Sequence, residues 1–321
     1  MSPDRAAVLV LMPHCPDSVG EQVVQIPFFH FLRAAHPGAE VVGVAPERSG
    51  SLIHALDLLD DFHTYPRHGG WGELAKIVRA VRSRRVETVY QLRKRSLRAA
   101  LLARAATGAP MVGFRHGVNA ALQQRSILFD TGRYIAESYA ALLGRTTQDY
   151  ADACAGRNDG YAVLVPAGRL PIKCYPIPKY VEIARELAGR LPVRVLLGPE
   201  MAEAARTLQA SAAPLEVVTA PPMPEVSRLL GRAALVIAND CGPAHFAHVA
   251  DVPRISLFDS TINADHWFFA GRRGRLLRSP GRGRIAEIPV GDILRHAHQL
   301  LEGGGSGPSE GCVSCPLGEK P

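Results

Sequence analysis

The chain has 321 residues, 47% of them hydrophobic and 21% charged, with a formal net charge of +7. That length suggests about two domains at roughly 100–200 residues each, and the composition excludes a disordered chain or a fibre. Aromatic residues at 6% argue against a single-strand nucleic-acid reader built on stacking platforms. The charge is unevenly spread: residues 62–133 hold 14 Lys+Arg against 3 Asp+Glu. Such a segment is either an Arg-rich solvated face or one that meets phosphates or an anionic membrane surface.

The apolar run 6–12 follows Arg5 but is short and stops at Pro13, so it reads as a first buried strand and not as a signal peptide. A loop and a helix over 21–35 follow, then a strand at 40–45 closed by Pro46. The pattern continues with a helix at 74–84, a strand at 88–92, an Ala/Leu/Arg helix at 96–106 ended by Gly108, a strand at 111–114 and one long helix over 135–143. A polar, glycine-containing linker at 155–160 opens a second series. Its strands fall at 161–165, 193–197, 215–219, 235–238 and 254–258, and its helices at 178–188, 201–209, 223–230, 243–250 and 292–301. Strands alternating with helices of this length predict α/β architecture with parallel sheets. The expected division is 1–155, 156–302 and a flexible tail at 303–321. No stretch approaches 18 apolar residues, the length a membrane span needs, and a cytoplasmic protein is expected. Six cysteines are too sparse for a disulfide scaffold and point to a reducing compartment. Cys312 and Cys315 form one C-x-x-C in the tail, short of a four-ligand zinc site.

Chemistry is most concentrated at Asn239-Asp240-Cys241-Gly242-Pro243-Ala244-His245, where an apolar strand ends and a helix opens. Proline suits a first helical turn because its missing N–H is not needed there. Free N–H groups at such a turn, lying at the carboxyl end of a parallel strand, form a cradle for a diphosphate. The same spacing also describes an ordinary capped helix.

This segment resembles the donor-binding signature of the heptosyltransferases, glycosyltransferase family 9, which reads N-D-[ST]-G-P-x-H-[LI]-A. Val165-Pro166-Ala167-Gly168 with Lys173-Cys174-Tyr175-Pro176 resembles the family's P-G-A…K-x-W-P stretch, and Leu197-Gly198-Pro199-Glu200 its G-x-E. Ser18-Val19-Gly20-Glu21 with Ile26-Pro27 resembles its S-x-G-D loop, and residues 89–113 are also similar. The resemblance runs in order from about Val8 to Leu277.

The resemblance implies a GT-B architecture: two Rossmann-like parallel-sheet domains facing a central cleft, the N-terminal one binding the acceptor and the C-terminal one the nucleotide-sugar donor. It implies inverting, metal-independent transfer of a heptose or related sugar from an ADP-sugar to an acceptor of the lipopolysaccharide-core type. No cofactor is called for, and no Asp-x-Asp occurs in the chain. By resemblance Lys173 contacts the donor phosphates, Asp240, Cys241, Gly242 and His245 line their cradle, and Glu200 holds the ribose. An inverting reaction needs a base at the acceptor hydroxyl. Glu21 stands where the family has Asp, with Asp17 a rival and His14 a remoter one; Glu21 also suits a helix-capping role. Cys241 stands where Ser or Thr is usual. Arg93, Lys94 and Arg95 after one strand, and Arg115 after another, are the expected acceptor contacts, for an anionic glycolipid at the inner-membrane surface and not for nucleic acid. The alternatives are a nucleotide-sugar binding protein without turnover, or a transferase acting on a protein or another polysaccharide. A dinucleotide-dependent oxidoreductase is disfavoured by the lack of G-x-G-x-x-G after the first strand.

Overall fold

In a computed structural model the chain divides into two compact units, Met1–Thr147 and Gln148–Pro321. Residues 5–13, 18–65, 71–156, 158–280 and 284–303 are described. The tail with Cys312 and Cys315 lies outside them, as do His14 and Asp17.

The first unit begins with β1 (Ala6–Leu11), α1 (Val19–Val23), α2 (Ile26–Ala35), β2 (Glu40–Ala45), α3 (Glu47–Ala55) and β3 (Asp61–Thr64). It continues through α4 (Trp71–Arg82), β4 (Arg85–Gln91), α5 (Leu97–Thr107), β5 (Met111–Phe114), a 3-10 turn at Gly117–Leu122, β6 (Arg125–Ile127), α6 (Ile135–Ala141) and α7 (Thr147–Cys154), the last crossing into the second unit. The second unit then runs β7 (Ala162–Val165), a 3-10 turn at Pro171–Lys173, α8 (Ile177–Ala188), β8 (Val193–Leu197), α9 (Ala202–Ala210), β9 (Glu216–Thr219) and α10 (Met223–Gly231). It ends with β10 (Leu235–Asn239), α11 (Ala244–Val249), β11 (Arg254–Phe258), α12 (Ala264–Trp267), β12 (Gly274–Arg278) and α13 (Val290–Glu302).

The first sheet has strand order β3-β2-β1-β4-β5-β6 and the second β12-β11-β10-β7-β8-β9. Every pairing in both is parallel. Counted from its own first strand, each sheet has the doubly wound order 3-2-1-4-5-6, in which ligands bind outside the carboxyl ends of the strands where the order reverses. Those switch points are β1/β4 and β7/β10. β1 (AAVLVL), β7 (AVLV) and β10 (LVIAN) are buried along nearly their whole length, as expected of strands covered on both faces.

Most expected elements are present, with informative differences. The single helix expected over 21–35 is two, α1 and α2. Pro27 at the start of α2 lacks an N–H, and its ring conflicts with the carbonyl four residues back, at Val23, where α1 ends. The helix expected over 135–143 stops at Ala141, and α7 follows. Strands β3, β6 and β12 were not foreseen: DFHT, RSI and GRLLR mix polar with apolar residues and lie at or next to the sheet edges, where the buried-strand pattern fades.

Candidate functional site

In the second unit, the chain leaves β7 through Pro166-Ala167-Gly168 and doubles back. A Cβ on Gly168 would lie 2.8 Å from both the Lys173 carbonyl oxygen and Cys174 Sγ, so glycine is what lets this loop close. The Cys174 thiol donates to the carbonyls of Gly168 (3.4 Å) and Leu170 (3.3 Å). Tyr175 donates its hydroxyl to the Ile288 carbonyl at 2.8 Å, and Lys179 Nζ donates to the Ala286 carbonyl at 2.8 Å, tying the start of α8 to the segment before α13.

The closed loop delivers Lys173 to the end of β10, where its ammonium pairs with Asp240 Oδ2. The carboxylate side chain is only 7% exposed and the lysine 23%, so the pair sits at the mouth of the site, Lys173 outermost. Beneath it Asn239 is fully buried and bridges the two switch-point strands: its Nδ2 donates to the Pro166 carbonyl (2.8 Å), and its Oδ1 accepts from Tyr180 (2.9 Å). Burial holds the Tyr180 hydroxyl well above the usual phenol range, so it is a permanent donor. Asn239 and Tyr180 are the supports that sequence reasoning missed; the signal available was a strand ending in Asn where an apolar residue would continue it.

Cys241, Gly242 and Pro243 turn into α11, which is buried throughout. Burial pushes the Cys241 thiol up to about 12, against a backbone hydrogen bond at Ala244 that lowers it; at neutral pH it is a thiol and not a thiolate. His245 is buried, with its ring 5.0 Å from His248 and 5.7 Å from Trp267. Burial lowers its pKa to about 4, so it is neutral and supports the turn from behind without carrying charge. His248, lowered in the same way, meets Ser256 Oγ at 2.9 Å. Glu200 lies beyond β8, at the same strand edge. A Cβ on Gly198 would be 2.5 Å from Glu200 Oε1, so the glycine leaves room for the carboxylate to fold back over the strand end.

A buried ion pair holds the neighbouring strap. Arg254 is 1% exposed, bonds Asp251 Oδ1 at 2.9 Å, and donates to the carbonyls of Val252, Phe269 and Ala270. Asp251 accepts from the backbone amides of Arg272 (3.0 Å) and Arg273 (3.4 Å). Gly271 has φ +52°, and a Cβ there would stand 2.2 Å from Asp251 Oδ1, so position and conformation both require glycine.

In the first unit Glu21 is half-buried in α1. Ser18 Oγ caps that helix by accepting from the Glu21 amide at 3.4 Å, which leaves the Glu21 carboxylate outside the cap. Arg93 departs most from the picture of a cation free to meet an acceptor. It is buried, with Nε donating to the Met12 carbonyl (2.6 Å) and the guanidinium 4.5 Å from the centre of the Tyr65 ring; Nη2 is buried without a partner among the described residues. Arg93 thus pins the end of β1 to the end of β4. Lys94 sits 3.1 Å over the Phe129 ring, whereas Arg95 and Arg115 are exposed. Among the described residues no three His, Cys, Asp or Glu gather where a metal ion could be held.

The two like-ordered parallel sheets, each with a polar turn at its switch point, give the chain the two-unit α/β architecture of the GT-B fold class. Residues 136–268 match the model of glycosyltransferase family 9 (heptosyltransferase). No curated protein matches. Among solved structures, ADP-heptose lps heptosyltransferase II of E. coli is 18% identical over 93% of this chain and 99% of its own, with a TM-score of 0.69. A glycosyl transferase family 9 protein of Veillonella parvula is 16% identical over 93% and 98%, with a TM-score of 0.72. The E. coli heptosyltransferase WaaC, solved with ADP, is 17% identical over 92% and 99%, with a TM-score of 0.71. At these identities the likenesses establish the fold.

Proposed function

We propose that the chain is an inverting, metal-independent heptosyltransferase, moving a heptose or related sugar from an ADP-sugar to an anionic glycolipid of the lipopolysaccharide-core type at the inner face of the inner membrane. Residues 156–302 take the donor and 1–155 the acceptor. The observation that carries this reading is the Lys173–Asp240 pair at the β7/β10 switch point, inside the family 9 match.

Departure of a nucleoside diphosphate places developing charge on the β-phosphate, and preorganised donors aimed at that charge lower the barrier. The Lys173 ammonium has three N–H donors, of which Asp240 occupies one. Asp240 is a poor phosphate contact in its own right, because a carboxylate repels phosphate. Its work is to hold Lys173 at the mouth while the Gly242 backbone N–H takes a further phosphate oxygen, since Pro243 has no N–H and the next three amides bond the Cys241 sulfur and the carbonyls of Gly242 and Pro243. Cys241, a neutral thiol, leaves that backbone intact but supplies a weaker donor than the family's hydroxyl. Glu200 serves the ribose.

On the acceptor side the Glu21 carboxylate removes the proton of the attacking hydroxyl. The oxygen bonds to the anomeric carbon from the face opposite the leaving group, the bond to the diphosphate breaks, and ADP leaves with the electron pair. Arg95 and Arg115 meet the acceptor's anionic groups; Lys94 and Arg93 shape the floor beneath them. The E. coli WaaC structure with ADP supports the choice of nucleotide. A thermal-shift panel of ADP, UDP and GDP tests it: ADP alone should stabilise, by mass action on the native state. Equal stabilisation by UDP or GDP overturns the donor assignment.

A further inference from the structure

The six exposed large apolar side chains among the described residues are Leu97, Leu101, Val118, Leu128, Leu170 and Ile172. Four of the six belong to the first unit, and topology gathers them. Strands β4, β5 and β6 are parallel neighbours, spaced about 4.8 Å apart, so the segments leaving their carboxyl ends emerge side by side. The first carries Lys94, Arg95, Leu97 and Arg98, the second Arg115, His116 and Val118, and the third Leu128 and Phe129. Lys94 lies over the Phe129 ring, which fixes the first segment against the third. Leu101 stands one helical turn after Leu97 on α5, hence on the same face. Val118 and Leu128 are 66% and 71% exposed, far outside what packing of this unit requires.

The charge along the chain that carries these side chains is strongly positive. From Leu92 to Phe129 there are seven Lys+Arg and no Asp or Glu, and Asp130, the next residue, is paired with Arg133. Apolar side chains projecting among an excess of cations match the two terms that bind a protein to an anionic bilayer: partial insertion of apolar surface and attraction to acidic headgroups. A polyanionic glycan or nucleic acid would engage the cations but leave the leucines and valine in water. No helix among the described residues is long and apolar enough to cross a membrane, so any attachment through this rim is interfacial.

We infer that the rim formed by Leu97, Leu101, Val118 and Leu128 with Arg95 and Arg115 docks the first unit onto an anionic phospholipid surface. The inference rests on the reading of this unit as the half that receives a lipid-anchored acceptor, and it fails separately from that reading.

The test is flotation of the full chain with phosphatidylcholine vesicles containing or lacking phosphatidylglycerol. Wild type should float with the anionic vesicles only, and less so in high salt. Leu97→Ser/Val118→Ser/Leu128→Ser should lose at least tenfold in vesicle affinity, while keeping its melting temperature and its transfer to a water-soluble acceptor. Arg95→Gln/Arg115→Gln should lose about thirtyfold, at roughly one cation's attraction each. Equal flotation on neutral vesicles, unchanged binding by the triple variant, or competition by a soluble polyanionic glycan at equal charge overturns the inference. Flotation as expected from a chain that transfers no sugar leaves the surface standing and removes the enzymatic reading.

Discussion

Replacing Lys173 with methionine separates binding from stability at the proposed donor site. Methionine keeps the stem and removes the ammonium. A charge-assisted hydrogen bond contributes about 1.5–3 kcal/mol, so ADP should bind roughly 10- to 150-fold more weakly. The variant also leaves the Asp240 carboxylate, 7% exposed, without its cation. Breaking a buried pair in this way costs about 3–5 kcal/mol. Here the lysine is 23% exposed and water relieves part of the loss, so about 2 kcal/mol is expected. That corresponds to a fall of roughly 4–8 °C in melting temperature for a unit of this size. Asp240→Asn removes the orphaned charge, so Lys173→Met/Asp240→Asn should regain most of the stability while ADP affinity stays low. Calorimetry for ADP and differential scanning for melting give both numbers on the same samples. If Lys173→Met weakens ADP by less than threefold, Lys173 is a structural partner of Asp240 and not a phosphate contact.

The same geometry sets four further outcomes. Glu21→Gln should lower kcat by about 10²–10⁴, the usual contribution of a general base, with ADP affinity unchanged by calorimetry; a kcat within threefold of wild type transfers the role to another group. Cys241→Ser restores a hydroxyl donor and should tighten ADP up to about tenfold, one neutral hydrogen bond; unmodified Cys241 should resist alkylation at pH 8 by mass spectrometry, because its thiol titrates only near 12. Gly271→Ala should destabilise by about 2 kcal/mol or more, since the added Cβ collides with Asp251 Oδ1 at a positive φ, read as a fall in the denaturant midpoint. The folded His245 pKa is depressed to about 4 from 6.5, so its contribution is fully present above pH 6.5 and lost as pH falls through 4. The gap is worth about 3 kcal/mol. His245→Gln should flatten the stability decline across that window in urea titrations, and an unaltered slope refutes the assignment of a neutral, buried imidazole.

Much of the candidate site in the second unit is legible in the sequence because its chemistry is local. Asp240, Cys241, Gly242 and His245, the proposed cradle, are consecutive or nearly so, and the apolar run into Asn239 marks the strand that presents them. The partnership of Lys173 with Asp240 spans 67 residues; the resemblance implies a phosphate role for each but not their pairing, since no spacing rule links the ends of β7 and β10. The bridging role of Asn239 was invisible for the same reason: its partners, Pro166 and Tyr180, lie on another strand's loop and helix. In the first unit, Arg93-Lys94-Arg95 reads as one basic cluster, yet burial parts it into a pinned guanidinium, an ammonium over a ring and an exposed arginine. Sequence gives charge but not direction at a strand end, where successive side chains point opposite ways. The helix break at Pro27, by contrast, follows from proline chemistry alone.

The central claim is acceptor-dependent cleavage of an ADP-sugar. Purified full-length protein, ADP-heptose and a truncated lipopolysaccharide-core glycolipid should release ADP in equal amount to a glycolipid heavier by one heptose, with the product linkage inverted by NMR. The same mixture without the glycolipid should release almost none. ADP release that ignores the acceptor, or tight ADP-heptose binding with no product from wild-type protein, contradicts the account.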